Sequence, residues 1–329
     1  MTVINPTRPD ESAPEFPEDV AQLAVTPALS PATFEPMRSP WRGFLKNWNN
    51  RIGLAILGLF VLLSILSLFN VFGDPTATDL LSPLSSPSLA HPFGTDKLGR
   101  DIFARCISGL RISLLIGFCA AGISLAGGML LGTLAATAGR RVDRAVSTFV
   151  DMMMAFPHIL FAVVVVSIFG AGPLQLIIAL GFASIPAAIR LQRSMALAVA
   201  SSTYMDAARM ANAPLRWNLF KHMLPNTLAP MTVVAAIYAA EAILSETGLS
   251  YIGLGIVEPT PSLGNIISSG QAYLKQAPWI SAFPGLIIVI VSLSLHFLSD
   301  GIREQLDPAL RKVVMVHKKE KSWLRRHKG

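Results

Sequence analysis

"IGLAILGLFVLLSILSLFNVF", residues 52–72, contains no charged side chain. It matches the roughly 20 apolar residues that a bilayer-spanning α-helix needs. Arg42, Lys46 and Arg51 lead into it, and Trp41 and Trp48 supply interfacial anchors. Basic residues collect on the cytoplasmic side of a first span, so the pattern predicts a cytoplasmic N-terminus.

The rest of the chain keeps this character. Of 329 residues, 52% are hydrophobic and only 14% charged, with a mean hydropathy of +0.53. A soluble domain carries about 25% charged residues, so this chain predicts an all-α integral membrane protein. The net charge of +7 is read as a record of cytoplasmic loops, not as a nucleic-acid surface, because no basic stretch interleaves with exposed aromatics. Cys106 and Cys119 form no CxxC pair and read as small apolar fillers. Residues 1–40 hold eight prolines and an acidic run from Asp10 to Asp19. No signal peptide is expected there, but a disordered cytoplasmic tail.

Five further spans are expected. Leu110–Ala138 is punctuated by Gly117, Gly122, Gly127, Gly128 and Gly132, and small residues at such spacing let it pack closely on another helix. A loop bearing Arg140, Arg141 and Arg144 leads to a third span over Thr148–Phe169, with Pro157 inside it. The tight "GAGP" turn, residues 170–173, returns an antiparallel fourth span over Leu174–Ile189, ended by Arg190 and Arg193. The fifth and sixth cover Leu228–Leu249 and Ile280–Leu298, separated by a Gly/Pro/Ser-rich loop to Trp279. Six crossings put both termini inside, in agreement with the basic tail "RKVVMVHKKEKSWLRRHKG", residues 311–329. Lys97, Arg100, Arg105 and Arg111 then lie outside, part of them on a helix resting at the outer interface.

Between the fourth and fifth spans stands the polar stretch "YMDAARMANAPLRWNLFKHMLPN", residues 204–226. Ser201, Ser202 or Thr203 can cap a first short helix through Ala211. Asn212 tolerates the left-handed conformation that ends a helix, and Pro214 suits the start of a second. Leu215, Leu219 and Met223 recur at helical spacing, and Leu224-Pro225 closes the unit. Such a hairpin either rests on lipid or docks into a groove of a partner protein. The chain has no GxxxxGK[ST] phosphate loop, so a pump built from it draws its work from another subunit.

The stretch resembles the EAA loop of ABC importer permeases. Asp206-Ala207-Ala208 stands for E-A-A, Asn212 for the glycine that follows, and Leu224-Pro225 for the closing pair. "HPFGTDKLGRD", residues 91–101, is similar to the H-P-x-G-T-D-x-x-G-R-D signature of the dipeptide/oligopeptide/nickel permease family, C-type subunit. "LSYIGLGIVEPTPSLGN", residues 249–265, and "DGIREQLDP", residues 300–308, resemble that family's later motifs. The matches cover roughly residues 41–308. The resemblance implies a type I importer (MetI-like) permease fold of about six transmembrane helices in the bacterial inner membrane. It divides the chain into a tail (1–40), a region with the first helix and outer loop (41–108), a core with the coupling loop at 201–226 (109–303), and a basic tail (304–329).

The implied partners are a second, B-type permease subunit, two ATPase subunits and an extracytoplasmic solute-binding protein. ATP and magnesium belong to the ATPases, and no cofactor is expected in this chain. Peptides are the default cargo of the family, whose members also carry nickel chelates, glutathione and certain sugars. Tyr204, Asp206, Ala207, Ala208, Arg209, Asn212, Leu215, Leu224 and Pro225 are the expected ATPase-coupling residues. Gly94, Thr95, Asp96, Gly99, Arg100 and Asp101 carry the signature loop.

Acids inside a membrane are costly and must face a partner, water or a pathway. Glu246 reads as a structural bridge at the outer end of the fifth span, with pathway lining as the alternative. Glu241 reads towards a water-filled cavity. Asp151 is expected to pair with Arg140, Arg144 or Arg190. His158 is expected to be packed and hydrogen-bonded. His296 and Asp300 are two ligands at most, so no metal site is assigned. No catalytic arrangement is expected. An ion-gradient-driven secondary transporter using Glu241 and Glu246 is the alternative function, and a membrane anchor or sensor without transport a third.

Overall fold

The computed structural model describes residues 47–306; both tails lie outside them. All regular elements among the described residues are helical, with one isolated β-bridge between Thr95 and Asp101. The helices are α1 (Trp48–Leu66), α2 (Ile102–Thr137), α3 (Arg140–Met154), α4 (His158–Phe169), α5 (Pro173–Ala200) and α6 (Thr203–Met210). They are followed by α7 (Leu215–Tyr251), α8 (Leu263–Gly270) and α9 (Trp279–Leu306). α1, α2, α5, α7 and α9 are each long and apolar enough to cross a membrane. α3 and α4 make a sixth crossing only if taken as one broken span.

That break corrects the continuous third span expected from the sequence. α3 and α4 meet at an 81° bend, with Pro157 as the N-cap of α4 at φ −56°, ψ 130°. Proline supplies no N–H and pushes the residue before it out of helical geometry. The two halves also differ in chemistry. α3 carries Arg140, Arg141, Asp143, Arg144 and Asp151, whereas α4 carries no charge. The charged half is tied to α5 by Asp143–Arg193 and Asp151–Arg190, the second at 2.8 Å. Of the three partners expected for Asp151, Arg190 is the one found.

α2 is the axis of the bundle and packs most extensively along α5. The two run parallel, with Gly128 against Ala188 and Gly132 against Ile189. A Cβ on Gly132 would stand 2.7 Å from the Ile189 carbonyl oxygen, so only glycine permits this spacing. Gly117 and Gly127 likewise meet Ile243 and Ile185, while Gly122 faces open space. The largest apolar cluster joins α2, α7, α8 and α9 around Leu110, Ile243, Leu263, Ile288 and Val291.

Two further expectations are corrected here. The loop to Trp279 contains α8, held by a reciprocal capping box in which Ser262 Oγ accepts from Asn265 N–H (3.2 Å) and Asn265 Oδ1 accepts from Ser262 N–H (2.9 Å). No separate interfacial helix carries Arg105 and Arg111; both belong to α2, which extends to 36 residues. The boundaries drawn at 108/109 and 303/304 fall inside α2 and α9.

Candidate functional site

Three polar places interrupt the apolar bundle. The first is the corner between α5 and α7. Met205 (2% exposed) and Met223 (fully buried) anchor it in a small cluster with Ala196 and Ala200. At the end of α6, Asn212 adopts φ +53°, and Ala213 N–H reaches back to the Ala208 carbonyl at 3.1 Å. This is the six-to-one bond of a Schellman-type ending, with asparagine doing what glycine more often does. The Ser201 and Ser202 hydroxyls donate back to the Ala198 and Val199 carbonyls, so they finish α5 instead of capping α6.

Leu224-Pro225 does not close the unit. The helical path begun at Leu215 passes through a π-turn over Asn218–Met223 and continues to Tyr251. Pro225 follows the π-turn at a first-turn position, where its missing N–H is tolerated. Asn226 Nδ2 donates to the His222 carbonyl and, at 3.3 Å, to the Tyr204 hydroxyl, stitching α6 to α7.

Tyr204, Asp206, Ala207, Asn212, Leu215 and Pro225 are exposed, and Ala208 and Leu224 half-buried. Arg209 belongs to α6. The sequence reading missed Met210 (82% exposed), Trp217 and Phe220, which project from the same corner. Large apolar side chains standing exposed in a polar segment were the available signal, and two of the three are aromatic.

The second place lies at the opposite end, where the signature loop folds on itself. The Thr95 hydroxyl donates to the Ser82 carbonyl (2.6 Å) and accepts from Ser85 N–H (2.8 Å). Gly94 and Gly99 have φ +75° and +71°, and a Cβ on Gly99 would fall 1.7 Å from the Asp79 carbonyl oxygen. Asp101 caps α2 through Ala104 N–H (2.9 Å) and holds His91 Nδ1 at 2.7 Å.

Asp96 (2% exposed) accepts from Leu98 N–H and Arg100 N–H and pairs with Arg100 Nε at 2.6 Å. Arg105 lies 3.8 Å from the same carboxylate through Nε, an ionic contact beyond hydrogen-bond reach. Glu258, on the loop after α7, bridges Arg100 (3.3 Å) and Arg105 (3.2 Å). Of the arginines expected at an outer surface, Arg100 and Arg105 are therefore buried, because carboxylates from two loops enclose them, and Arg111 is half-buried. Lys97 remains exposed.

The third place is in the membrane layer. Glu246 is fully buried and accepts from Ser113 Oγ (2.6 Å) and Ser250 Oγ (2.7 Å). Ser250 Oγ in turn accepts from Ile256 N–H (3.0 Å), so the acid bridges α2, α7 and the loop before α8. We expect Glu246→Gln to lower the stability of the assembled protein by about 1.5–3 kcal/mol, the range for hydrogen bonds to a charged group. Cargo preference should stay unchanged. Thermal melts alongside cargo competition would check both, and a shifted preference without loss of stability would refute the bridging role.

Glu241 behaves differently. It is exposed and lines a cavity of about 290 Å³ between α4, α5 and α7, together with Tyr238, Ser184 and His158. The expectation of a packed His158 is thus corrected: as the first residue of α4 after the break, it opens onto the cavity. His296 Nδ1 contacts the Ser292 carbonyl of its own helix at 2.8 Å. Cys106 is buried and Cys119 exposed.

With this geometry in hand, sequence similarity is informative. The family described as binding-protein-dependent transport system inner membrane component matches residues 128–312. The dipeptide transport system permease protein DppC of Alkalihalophilus pseudofirmus is 35% identical over 277 residues, covering 83% of this chain and 91% of its own. The di/tripeptide transport system permease protein DppC of Pseudomonas aeruginosa is 35% identical over 293 residues, covering 87% and 97%. A Brucella abortus protein named provisionally as a peptide transport system permease is 37% identical over 294 residues, covering 87% and 99%.

Proposed function

This chain belongs to the family of binding-protein-dependent transport system inner membrane components, and we propose on that premise that it is one of two permease subunits of an ATP-driven peptide importer. The names of its relatives support peptides as the cargo. In this reading the α6–α7 corner faces the cytoplasm with both termini, in a bacterial inner membrane. The signature loop faces outward, towards a solute-binding protein. Two ATPase subunits bind ATP and magnesium and grip the corner.

The observation that carries this reading is the two-sided corner. One side is fixed to α5 and α7 by Met205 and Met223, while the other presents small and apolar side chains to a partner. Work delivered there has a stiff route into the membrane. α7 runs 37 residues through its π-turn and Pro230, about 55 Å at 1.5 Å per residue. Close to the corner, the buried Gln192 amide donates to Thr133 Oγ1 (2.8 Å) and Thr227 Oγ1 (2.7 Å), joining α2, α5 and α7. Tilting the corner therefore moves three helices together, and rigid-body coupling through a packed interface links ATP binding to alternating access.

The ion-gradient alternative needs two accessible acids, and the burial of Glu246 between serines counts against it. Reconstitution with the second permease, the ATPases and the binding protein tests the proposal. Peptide uptake should require ATP and binding protein and survive dissipation of ion gradients. Uptake that persists without the ATPases and collapses with the membrane potential would refute it.

A further inference from the structure

We propose that Glu241 receives the α-ammonium group of a peptide in transit. The inference rests on the peptide-import reading above and adds to it the chemical group recognised inside the membrane.

The cavity at the α3–α4 break has the size and composition of half a small-ligand site. Its volume, about 290 Å³, stands at the lower edge of the roughly 300–1,000 Å³ of ligand pockets, and a second permease subunit would close its open side. Glu241 lies ten residues before the end of α7 at Tyr251, about 15 Å along the helix. That is half the roughly 30 Å hydrocarbon layer. α4, only 12 residues long, begins at the same depth by the same measure, so the break itself opens the cavity at mid-membrane.

A carboxylate at that depth is costly unless a cation or water meets it. The ion pairs among the described residues leave Glu241 without a cationic partner from this chain. The α5 arginines Arg190 and Arg193 are taken by Asp151 and Asp143. The neighbouring groups suit a ligand with one constant cationic end. Tyr238 stands one turn before Glu241 on the same helix face. Ser184 Oγ, which donates to the Leu180 carbonyl at 3.1 Å, keeps acceptor capacity towards the cavity it lines.

The remaining wall includes Met153 and Met154, flexible thioether side chains that adapt to different apolar shapes. One fixed anion beside an adaptable wall matches a peptide, whose ammonium is constant and whose side chains vary. A single carboxylate also meets the demand of passage, which requires binding firm enough to enter and weak enough to leave.

The test uses the complete transporter in vesicles, with a dipeptide and its N-acetylated analogue, each at a concentration saturating the binding protein. The measured quantity is the ratio of free-amine to acetylated uptake, compared between variants so that the binding protein's own preference cancels. Glu241→Gln should lower this ratio about tenfold, the scale of one charge-assisted hydrogen bond, and Glu241→Asp should keep most of it. An unchanged ratio in Glu241→Gln overturns the inference. Equal loss of both substrates together with weakened assembly also overturns it, by showing that a basic residue of the second permease occupies Glu241.

Should Glu241→Gln not assemble, Ser184→Lys carries the test, because an ammonium in the cavity competes with that of the cargo. It should lower the ratio about tenfold, and a ratio equal to the parent's overturns the inference. A parent transporter that imports no peptide brings down the import reading with it, whereas peptide import with an unchanged ratio overturns this inference alone.

Discussion

Asn212→Pro is expected to reduce uptake to background while the chain still inserts and pairs with its permease partner. Asn212 holds φ +53°, and the proline ring locks φ near −65°, so the corner cannot form around it. Proline also disfavours helical geometry at the preceding Ala211, which closes α6 through a 3.0 Å bond to the Ala207 carbonyl. The damage stays local, because Met205 and Met223 anchor the corner from below. Asn212→Gly should retain uptake, since glycine enters the left-handed region without a Cβ penalty.

A charge at Ala208 probes the same surface without touching the backbone. Ala208 is half-buried beside the exposed Ala207, and Ala208→Glu would place a carboxylate where a partner must pack closely. Uptake should again fall to background. Vesicle uptake and copurification of the ATPases measure both effects, and full transport by either Asn212→Pro or Ala208→Glu would sink the docking role.

The largest loss of stability is expected from Asp96→Ala. Asp96 gathers two backbone N–H groups and the Arg100 guanidinium while holding Arg105 at ionic distance. Its removal leaves two guanidiniums, 4% and 1% exposed, with only the half-open Glu258 as counter-charge. Breaking a buried pair from one side costs about 3–5 kcal/mol, because the desolvated charge stays behind. Asp74→Ala is the control. Its carboxylate bonds only Thr76 at an exposed position, and its loss should cost under about 1 kcal/mol. Thermal unfolding of the purified assembly separates the two, and an Asp96→Ala protein melting where the parent melts would refute the structural role of the signature loop.

The helices themselves were legible because apolar length is a local property. The left-handed Asn212, the close helix approach at Gly128 and Gly132, and the Asp151–Arg190 pair were foreseen, since each follows from residue type and short-range geometry. The prolines were not. Pro157 breaks its span, yet Pro186, Pro230 and Pro284 are carried inside α5, α7 and α9. A proline's effect depends on what neighbouring helices offer the freed carbonyl, and in a membrane that decision is tertiary.

Charge was misread in a similar way. Arg100 and Arg105 looked like surface residues because their counter-charge Glu258 lies some 150 positions away, 158 and 153 residues along the chain. His158 looked packed because an unbroken third span would have buried it. Hydropathy alone does not separate Glu241 from Glu246, five residues apart on one apolar helix, although their positions along the span already suggested a cavity for the first and a bridge for the second.

Composition and motif order, then, were enough to make this chain a multi-pass helical bundle of its family, since spans and turns are written in contiguous residues. The fate of each polar group within that bundle was fixed only by folding. Which serines lock one acid and which helices wall the cavity beside another depends on what arrives opposite it, and no local stretch of chain names those partners.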